Sequence, residues 1–252
     1  MTLSEQKIRE ILKKSFNQKG NFMIFLDDKP EIDIIQSFDE KADIYSTITS
    51  QNKGTFTKID DYFKEEIEKH MGTLNEENPN LLDIGTGDGS RIKGYKDLGL
   101  QIEAYDLSSK MVEKANEKLS NVYIGGYSDI KSNSYNVITS LHSVINIGTE
   151  QEIIERLKQV YNGLKENGLF CFDVIHADSD KRFIVYYNLD NNGQPYKKNG
   201  REIVSWSRLL SEDEIKEYSK QANFKVVDIE SIEIYKEICG YNHAYNLAVL
   251  KK

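Results

Sequence analysis

The stretch Leu81-Leu82-Asp83-Ile84-Gly85-Thr86-Gly87-Asp88-Gly89-Ser90 runs from an apolar segment interrupted by one acid into three glycines at alternate positions. It reads as a buried strand that enters a tight turn and continues into a helix. Glycine adopts positive φ without steric cost and has no Cβ, so the backbone bends sharply and a ligand can come almost against it. The helix beyond the turn offers unpaired N–H groups and the positive end of its dipole. A turn with these properties suits a nucleoside-type cofactor.

The dinucleotide fingerprint is G-x-G-x-x-G, closed by a helix N-terminus that holds a pyrophosphate. Here the spacing is G-x-G-x-G, and Ser90 stands where the last dinucleotide glycine would be. The pattern acid-x-G-x-G-x-G resembles motif I of the class I S-adenosylmethionine-dependent methyltransferases. The resemblance implies a cofactor site that includes Asp83, Gly85, Thr86, Gly87 and Gly89. Such a site cradles an adenosine, a sulfonium and an amino-acid tail instead of a phosphate.

Downstream, Gln101-Ile102-Glu103-Ala104-Tyr105-Asp106 alternates and ends in an acid, 17 residues after Gly89. A ribose-binding carboxylate at the end of a second strand is expected about 20 residues on. Asp106 at that place can accept hydrogen bonds from both ribose hydroxyls. The following Leu107-Ser108-Ser109-Lys110-Met111 is similar to the family's D-x-S-x-x-M continuation and adds Leu107 and Met111 to the implied cofactor set. Ser108 suits a helix N-cap, and Met111, Val112, Ala115 and Leu119 share one helical face.

Composition narrows the partners. The chain has 33 basic and 41 acidic residues, a net charge of −8 and a pI near 5.2. Nucleic-acid binding leaves a basic footprint, and the small cluster Lys197, Lys198 and Arg201 reads as a solvated loop, so no nucleic-acid partner is expected. Cys171 and Cys239 form neither a disulfide framework nor a metal-ligand spacing, and no metal is expected. There is no 18-residue apolar run, and the opening residues do not read as a signal peptide. The expectation is a cytoplasmic protein without a membrane partner, monomeric or homodimeric. A length of 252 residues suits one α/β domain with extensions or two small domains.

Beyond the turn, strands and helices alternate in the way that builds a parallel sheet. A short helix carries Ile92, Tyr95 and Leu98. Asn121–Ile124, Tyr135–Ser140 and Gly168–Val174 read as strands three to five, the last apolar enough for burial on both faces. Ile153, Ile154, Leu157, Val160, Tyr161 and Leu164 line a helix before strand five. Ser211 and Glu214 form a capping box. Two final strands, near Phe224–Tyr235 and His243–Leu250, are joined without a helix and imply an antiparallel edge hairpin. The methyltransferase fold resembled here has that hairpin. It is an α/β, doubly wound, seven-stranded and mostly parallel sheet of order 3-2-1-4-5-7-6, with the last strand antiparallel and helices on both faces.

This division puts a helical extension or lid at residues 1–79 and a Rossmann-like core at 80–252. In the extension, Ile8, Ile11, Leu12 and Phe16 line one helix face, and Ile59, Phe63, Ile67 and Met71 line another that ends at Gly72. The stretch Ser37–Tyr45 between them is less regular and aromatic. In similar enzymes such a segment folds over the cofactor, which makes Tyr45 a cofactor-contact candidate.

Ligands of open α/β sheets bind beyond the carboxyl ends of the strands. The third loop, Gly125-Gly126-Tyr127-Ser128-Asp129-Ile130, lacks the family's aspartate directly after the strand, so Ser128, Asp129 or backbone groups are the adenine-binding candidates. The fourth loop, Leu141-His142-Ser143-Val144-Ile145-Asn146, faces the transferable methyl in this architecture, with Leu141 as a cofactor contact. His142 is the general-base candidate, since imidazole accepts a proton near neutral pH. His70 and His243 read as structural. The segment at about 175–210 is too long for a simple connection. Its two aromatic runs around Asn191-Asn192-Gly193 suggest an inserted hairpin that covers the substrate, with His176, Arg182, Tyr186, Tyr187 and Trp206 as its substrate-facing residues.

The resemblance implies methyl transfer from S-adenosylmethionine, leaving S-adenosylhomocysteine, to an oxygen or nitrogen of a small acceptor. A sugar, a surface-polysaccharide precursor or a secondary metabolite would fit. The alternatives are an RNA or protein methyltransferase and a non-catalytic S-adenosylmethionine-binding subunit. An NAD-dependent oxidoreductase disagrees with the glycine spacing and with the terminal hairpin.

Overall fold

The computed structural model describes residues 53–74, 76–142, 149–179, 209–234 and 243–252, the short segments 196–198 and 201–203, and Ile35, Phe38, Asp39, Ala42, Asp43, Tyr45 and Ile145. The elements are helix α1 (Lys53–Met71), β1 (Asn80–Ile84), a 3₁₀ helix (Ile92–Leu98), β2 (Gln101–Asp106), α2 (Ser109–Asn116), β3 (Val122–Ile124) and β4 (Tyr135–Ser140). Then follow α3 (Glu150–Gly163), β5 (Leu164–Ile175), β6 (Tyr196–Lys198), β7 (Arg201–Ile203), α4 (Glu212–Gln221), β8 (Lys225–Ile234) and β9 (His243–Lys251).

Seven strands form one sheet of order β3-β2-β1-β4-β5-β9-β8. The first five are mutually parallel, and β9 runs antiparallel to both β5 and β8. This is the expected 3-2-1-4-5-7-6 order. Strand order reverses between β1 and β4, so their carboxyl ends open a crevice at the switch point, and both the glycine turn and the Leu141–His142 loop leave from it.

Side chains alternate along each strand, and the sheet is buried on both faces. Leu81, Val137 and Leu169 join one apolar cluster with Ile59, Phe63 and Ile67 of α1. Their neighbours Leu82, Ile138 and Phe170 join a second cluster with Ile153, Leu157 and Val160 of α3 and Ile215 of α4. Each such side chain contributes about 1.5–3 kcal/mol relative to exposure. Both α3 and α4 begin with complete capping boxes, Thr149 with Glu152 and Ser211 with Glu214.

The short helix expected after the glycine turn is present as a 3₁₀ helix of seven residues, with Ile92 and Tyr95 buried. Gly94 lies in its middle, where a Cβ would stand 3.0 Å from Lys64 Nζ of α1, and it ends at Gly99 in the left-handed region. Leu164 is not helical: α3 stops at Gly163, and Leu164 already has extended geometry and pairs with Tyr135 as the start of β5. In the stretch 37–45 the described residues Phe38, Asp39, Ala42, Asp43 and Tyr45 are helical rather than irregular. The hairpin in the insert is β6–β7, with Lys198 paired to Arg201, so that basic cluster lies on strands rather than in a loop. The two residues between these strands are Asn199 and Gly200, a strong short hairpin signal; the turn expected at Asn191-Asn192-Gly193 lies outside the described residues. The helix expected from Ile8 to Phe16 and the run from Arg182 to Tyr187 lie outside the described residues.

Candidate functional site

The glycine turn has the backbone its spacing requires. Gly85, Gly87 and Gly89 have φ of 75°, 58° and 73°, all left-handed. The N–H groups of Gly85 and Thr86 donate to the Tyr105 carbonyl of β2 at 2.8 and 3.1 Å, which fastens the turn to the neighbouring strand end. The Asp106 side chain completes the connection. Its Oδ2 accepts from the Gly87 N–H at 2.8 Å, and its Oδ1 accepts from the Ser108 N–H at 2.9 Å. Burial raises the Asp106 carboxyl above its ordinary value, opposed by the N–H groups of Ser108 and Gly87. A carboxylate has about four lone-pair positions. Two are used here, and capacity for a vicinal diol remains beside a turn that has no Cβ at its three tightest points.

Beneath the turn, Asp83 is buried and accepts from Thr139 Oγ1 of β4 at 2.7 Å. Burial pushes its carboxyl up to about 6, against the Thr139 hydrogen bond. Asp88, inside the turn, binds Lys118 Nζ at 2.7 Å and the Ser90 hydroxyl at 2.8 Å. Lys118 Nζ also donates to the Asp88 carbonyl at 2.9 Å. This lysine lies beyond the end of α2, and its role in bracing the turn has no signature in the sequence. Gly89 packs against the same helix region: a Cβ there would stand 3.1 Å from Leu119 and 3.2 Å from Ala115.

Tyr45 lies against the turn, and a Cβ on Gly87 would be 2.9 Å from its Cε1. Its helical neighbour Asp39 reaches the start of α2, where Oδ1 accepts from the Ser108 hydroxyl at 2.5 Å and from the Lys110 N–H at 3.3 Å. Asp43 pairs with Lys114 at 3.0 Å. Ser108 Oγ itself caps α2 by accepting from the Met111 N–H. Asp39, which ties this segment to the start of α2, was missed by sequence reasoning because its partners lie about 70 positions away.

In the third loop, Leu107 lies over Gly126, where a Cβ would be 3.3 Å from Leu107 Cδ2. Asp129 Oδ2 accepts from the Gly126 N–H at 2.9 Å and closes a short 3₁₀ turn. Ser128 and Asp129 are exposed, while Met111 is fully buried.

The fourth loop brings His142 into a buried polar layer. His142 has φ 52°, a left-handed conformation uncommon outside glycine. Its N–H donates to Asp173 Oδ1 of β5 at 2.7 Å, and its Nδ1 lies 3.5 Å from Asp173 Oδ2. The ring stands between Phe56 of α1 and Tyr245 of β9, with centroids 5.1 and 5.4 Å away. Arg91, just after the glycine turn, donates to Asp60 of α1 at 2.7 Å and approaches Asp173 at 3.9 Å. Burial works against ionised Asp173, but the contact with His142 and the Arg91 charge outweigh it and leave the carboxyl below its ordinary value. Burial raises Asp60 despite its bond to Arg91. None of Asp60, Arg91 or Asp173 carries a motif signal.

His176 directly follows β5, and its Nδ1 accepts from the Asp178 N–H at 3.0 Å. His70 is buried near the end of α1, and burial lowers its pKa. Arg182, Tyr186, Tyr187 and Trp206 lie outside the described residues. Among the described residues no group of three His, Cys, Asp or Glu side chains could hold a metal, and no helix is long and apolar enough to cross a membrane.

A family model described as a methyltransferase domain matches residues 56–229. No curated protein matches the chain. Among solved structures, the Burkholderia thailandensis 1,6-didemethyltoxoflavin-N1-methyltransferase, with bound 1,6-didemethyltoxoflavin and S-adenosylhomocysteine, is 14% identical with a TM-score of 0.60, covering 94% of this chain and 97% of that one. A Thermotoga maritima S-adenosylmethionine-dependent methyltransferase, described as a possible histamine N-methyltransferase, is 15% identical with a TM-score of 0.59, covering 86% and 99%. A Clostridium acetobutylicum S-adenosylmethionine-dependent methyltransferase is 18% identical with a TM-score of 0.57, covering 83% and 98%. At these identities the likeness concerns the fold. With the family match across more than half its length, the left-handed glycine turn and the carboxylate bound to it, the chain belongs to the class I S-adenosylmethionine-dependent methyltransferases.

Proposed function

We propose that this enzyme methylates an oxygen or nitrogen of a small-molecule acceptor, with His142 as the proton acceptor. S-adenosylmethionine supplies a methyl group already activated by a positive sulfur. The protein's own work is to bind, align and exclude water. Asp106 would hold the ribose hydroxyls through its remaining lone pairs. The turn Gly85–Gly89 would cradle the body of the cofactor, and Leu107, Gly126 and the Ser128–Asp129 turn would border the adenine. Tyr45, with residues 1–79 as the lid, would close over it. The insert at about 175–210, with His176, Arg182, Tyr186, Tyr187 and Trp206, would surround the acceptor.

The observation that carries this reading is the place of His142. It sits at the carboxyl end of β4, next to β1 and its glycine turn, in an uncommon backbone conformation held by Asp173. The acidic balance supports a small acceptor over RNA, and the named ligand of the Burkholderia neighbour is a small heterocycle. Methyl-labelled S-adenosylmethionine incubated with fractionated cell extract tests it. Label should enter the dialysable fraction, and His142→Ala should lower that transfer about 10²–10⁴-fold while cofactor affinity is kept. Label in RNA or protein would replace the small acceptor by a macromolecule.

A further inference from the structure

The polar layer under the fourth loop has a specific geometry. Asp173 is 2% exposed, and its two oxygens face one residue, His142, in two different ways. Oδ1 accepts the backbone N–H at 2.7 Å, and Oδ2 faces the ring Nδ1 at 3.5 Å. Among the described residues Oδ2 has no donor at full hydrogen-bond distance. A buried carboxylate oxygen without a donor is costly, and a proton on Nδ1 is the group placed to relieve it. Arg91 stands 3.9 Å from Oδ1, braced by Asp60 and by the Phe56 ring 4.7 Å from its guanidinium carbon. The same Phe56 ring and the Tyr245 ring pack against the imidazole.

We propose that Asp173 is the positioning residue of this site: it fixes the neutral His142 imidazole with its proton on Nδ1, directs the Nε2 lone pair to the acceptor, and is itself held by the partly buried Arg91–Asp60 pair. This rests on the reading of His142 as proton acceptor. As the acceptor's oxygen or nitrogen forms its bond to the methyl carbon, the carbon–sulfur bond breaks and the sulfur leaves as a neutral thioether. The acceptor's proton passes to Nε2. The imidazolium so formed has its positive charge beside the ionised, buried Asp173 carboxylate.

The arrangement makes an asymmetric prediction for Asp173→Asn. The amide oxygen must remain on the His142 backbone N–H, which needs an acceptor, and on the side facing Arg91. The amide NH₂ is then forced towards Nδ1. That nitrogen has to accept, and the ring proton moves to Nε2, the wrong tautomer for a base. Nitrogen-15 NMR of histidine-labelled full-length protein with S-adenosylhomocysteine, at about pH 8.5 where an unperturbed imidazole is neutral, reads this directly. The chain has four histidines, and the His142→Ala spectrum assigns the signal. The expected result is Nδ1–H in the wild type and Nε2–H in Asp173→Asn, with S-adenosylhomocysteine affinity kept. A wild-type ring protonated on Nε2, or on both nitrogens, overturns the proposal even if the variant fails to fold. An unchanged tautomer in a folded variant does so as well. Separately, full methyl transfer by His142→Ala would remove the proton-acceptor role while leaving the observed tautomer in place, so the two failures are distinguishable.

Discussion

At the scale of single residues, the glycine turn and the strand-end carboxylate bound to it were readable from sequence, and the polar layer beneath them was not. Gly85, Gly87, Gly89 and Asp106 announce themselves because each is a backbone or charge requirement met at a fixed short spacing. Asp39, Lys118, Arg91 and Asp60 act through partners 28 to 71 positions away, and no local pattern encodes such a meeting. Asp83 makes the difference testable. It reads as part of the cofactor motif, yet its carboxyl bonds Thr139 inside the sheet. Its pKa is pushed up to about 6 from an ordinary value of 3.8. Between those values the folded protein binds more protons than the unfolded chain, so this group makes stability fall as pH rises from about 4 to 6. Asp83→Asn keeps an oxygen for Thr139 and removes the ionisation. It should be more stable than wild type at pH 7 by up to about 3 kcal/mol, with the difference vanishing below about pH 4. Urea melts across that range check the sign.

At the scale of elements, strands were read more reliably than the ends of helices. Alternation and apolar runs located β1 to β5, and the two closing strands without an intervening helix gave the antiparallel pair β8–β9. Helix ends depend on contacts that periodicity does not see. Leu164 continues the apolar face of α3, but it is already extended and pairs with Tyr135 in the sheet, while Gly163 before it packs against Ile130. A Cβ on Gly163 would lie 2.2 Å from Ile130 Cγ2. In an open helix Gly→Ala would stabilise by about 0.5–1 kcal/mol; here overpacking should win, and Gly163→Ala should destabilise by about 1–3 kcal/mol in thermal unfolding. Ser211→Ala, which removes the Glu214 N–H acceptor at the start of α4, should cost about 1 kcal/mol in the same assay.

At the scale of the whole molecule, the sheet order followed from one resemblance and from the terminal strand pair, whereas the connection of α1 to the site did not. Helix α1 looked like part of an extension. Its Ile59, Phe63 and Ile67 share a core with the sheet, and its Asp60 binds Arg91 between the glycine turn and β5. Removing Asp60 takes the close partner from a mostly buried guanidinium and leaves it the longer approach to Asp173, so Asp60→Ala should lose about 1–3 kcal/mol in denaturant unfolding. The claim on which the rest depends is that the bend at Gly85–Gly89 and the Asp106 carboxylate hold two sides of one adenosine. Calorimetric titration with S-adenosylhomocysteine of wild type and Asp106→Ala, beside NAD, measures it most directly. The account predicts clear binding to the wild type, much weaker NAD binding, and a loss of about 1–3 kcal/mol, or about 5–150-fold in Kd, in the variant. Wild-type affinity in Asp106→Ala, or tighter binding of NAD, would contradict it.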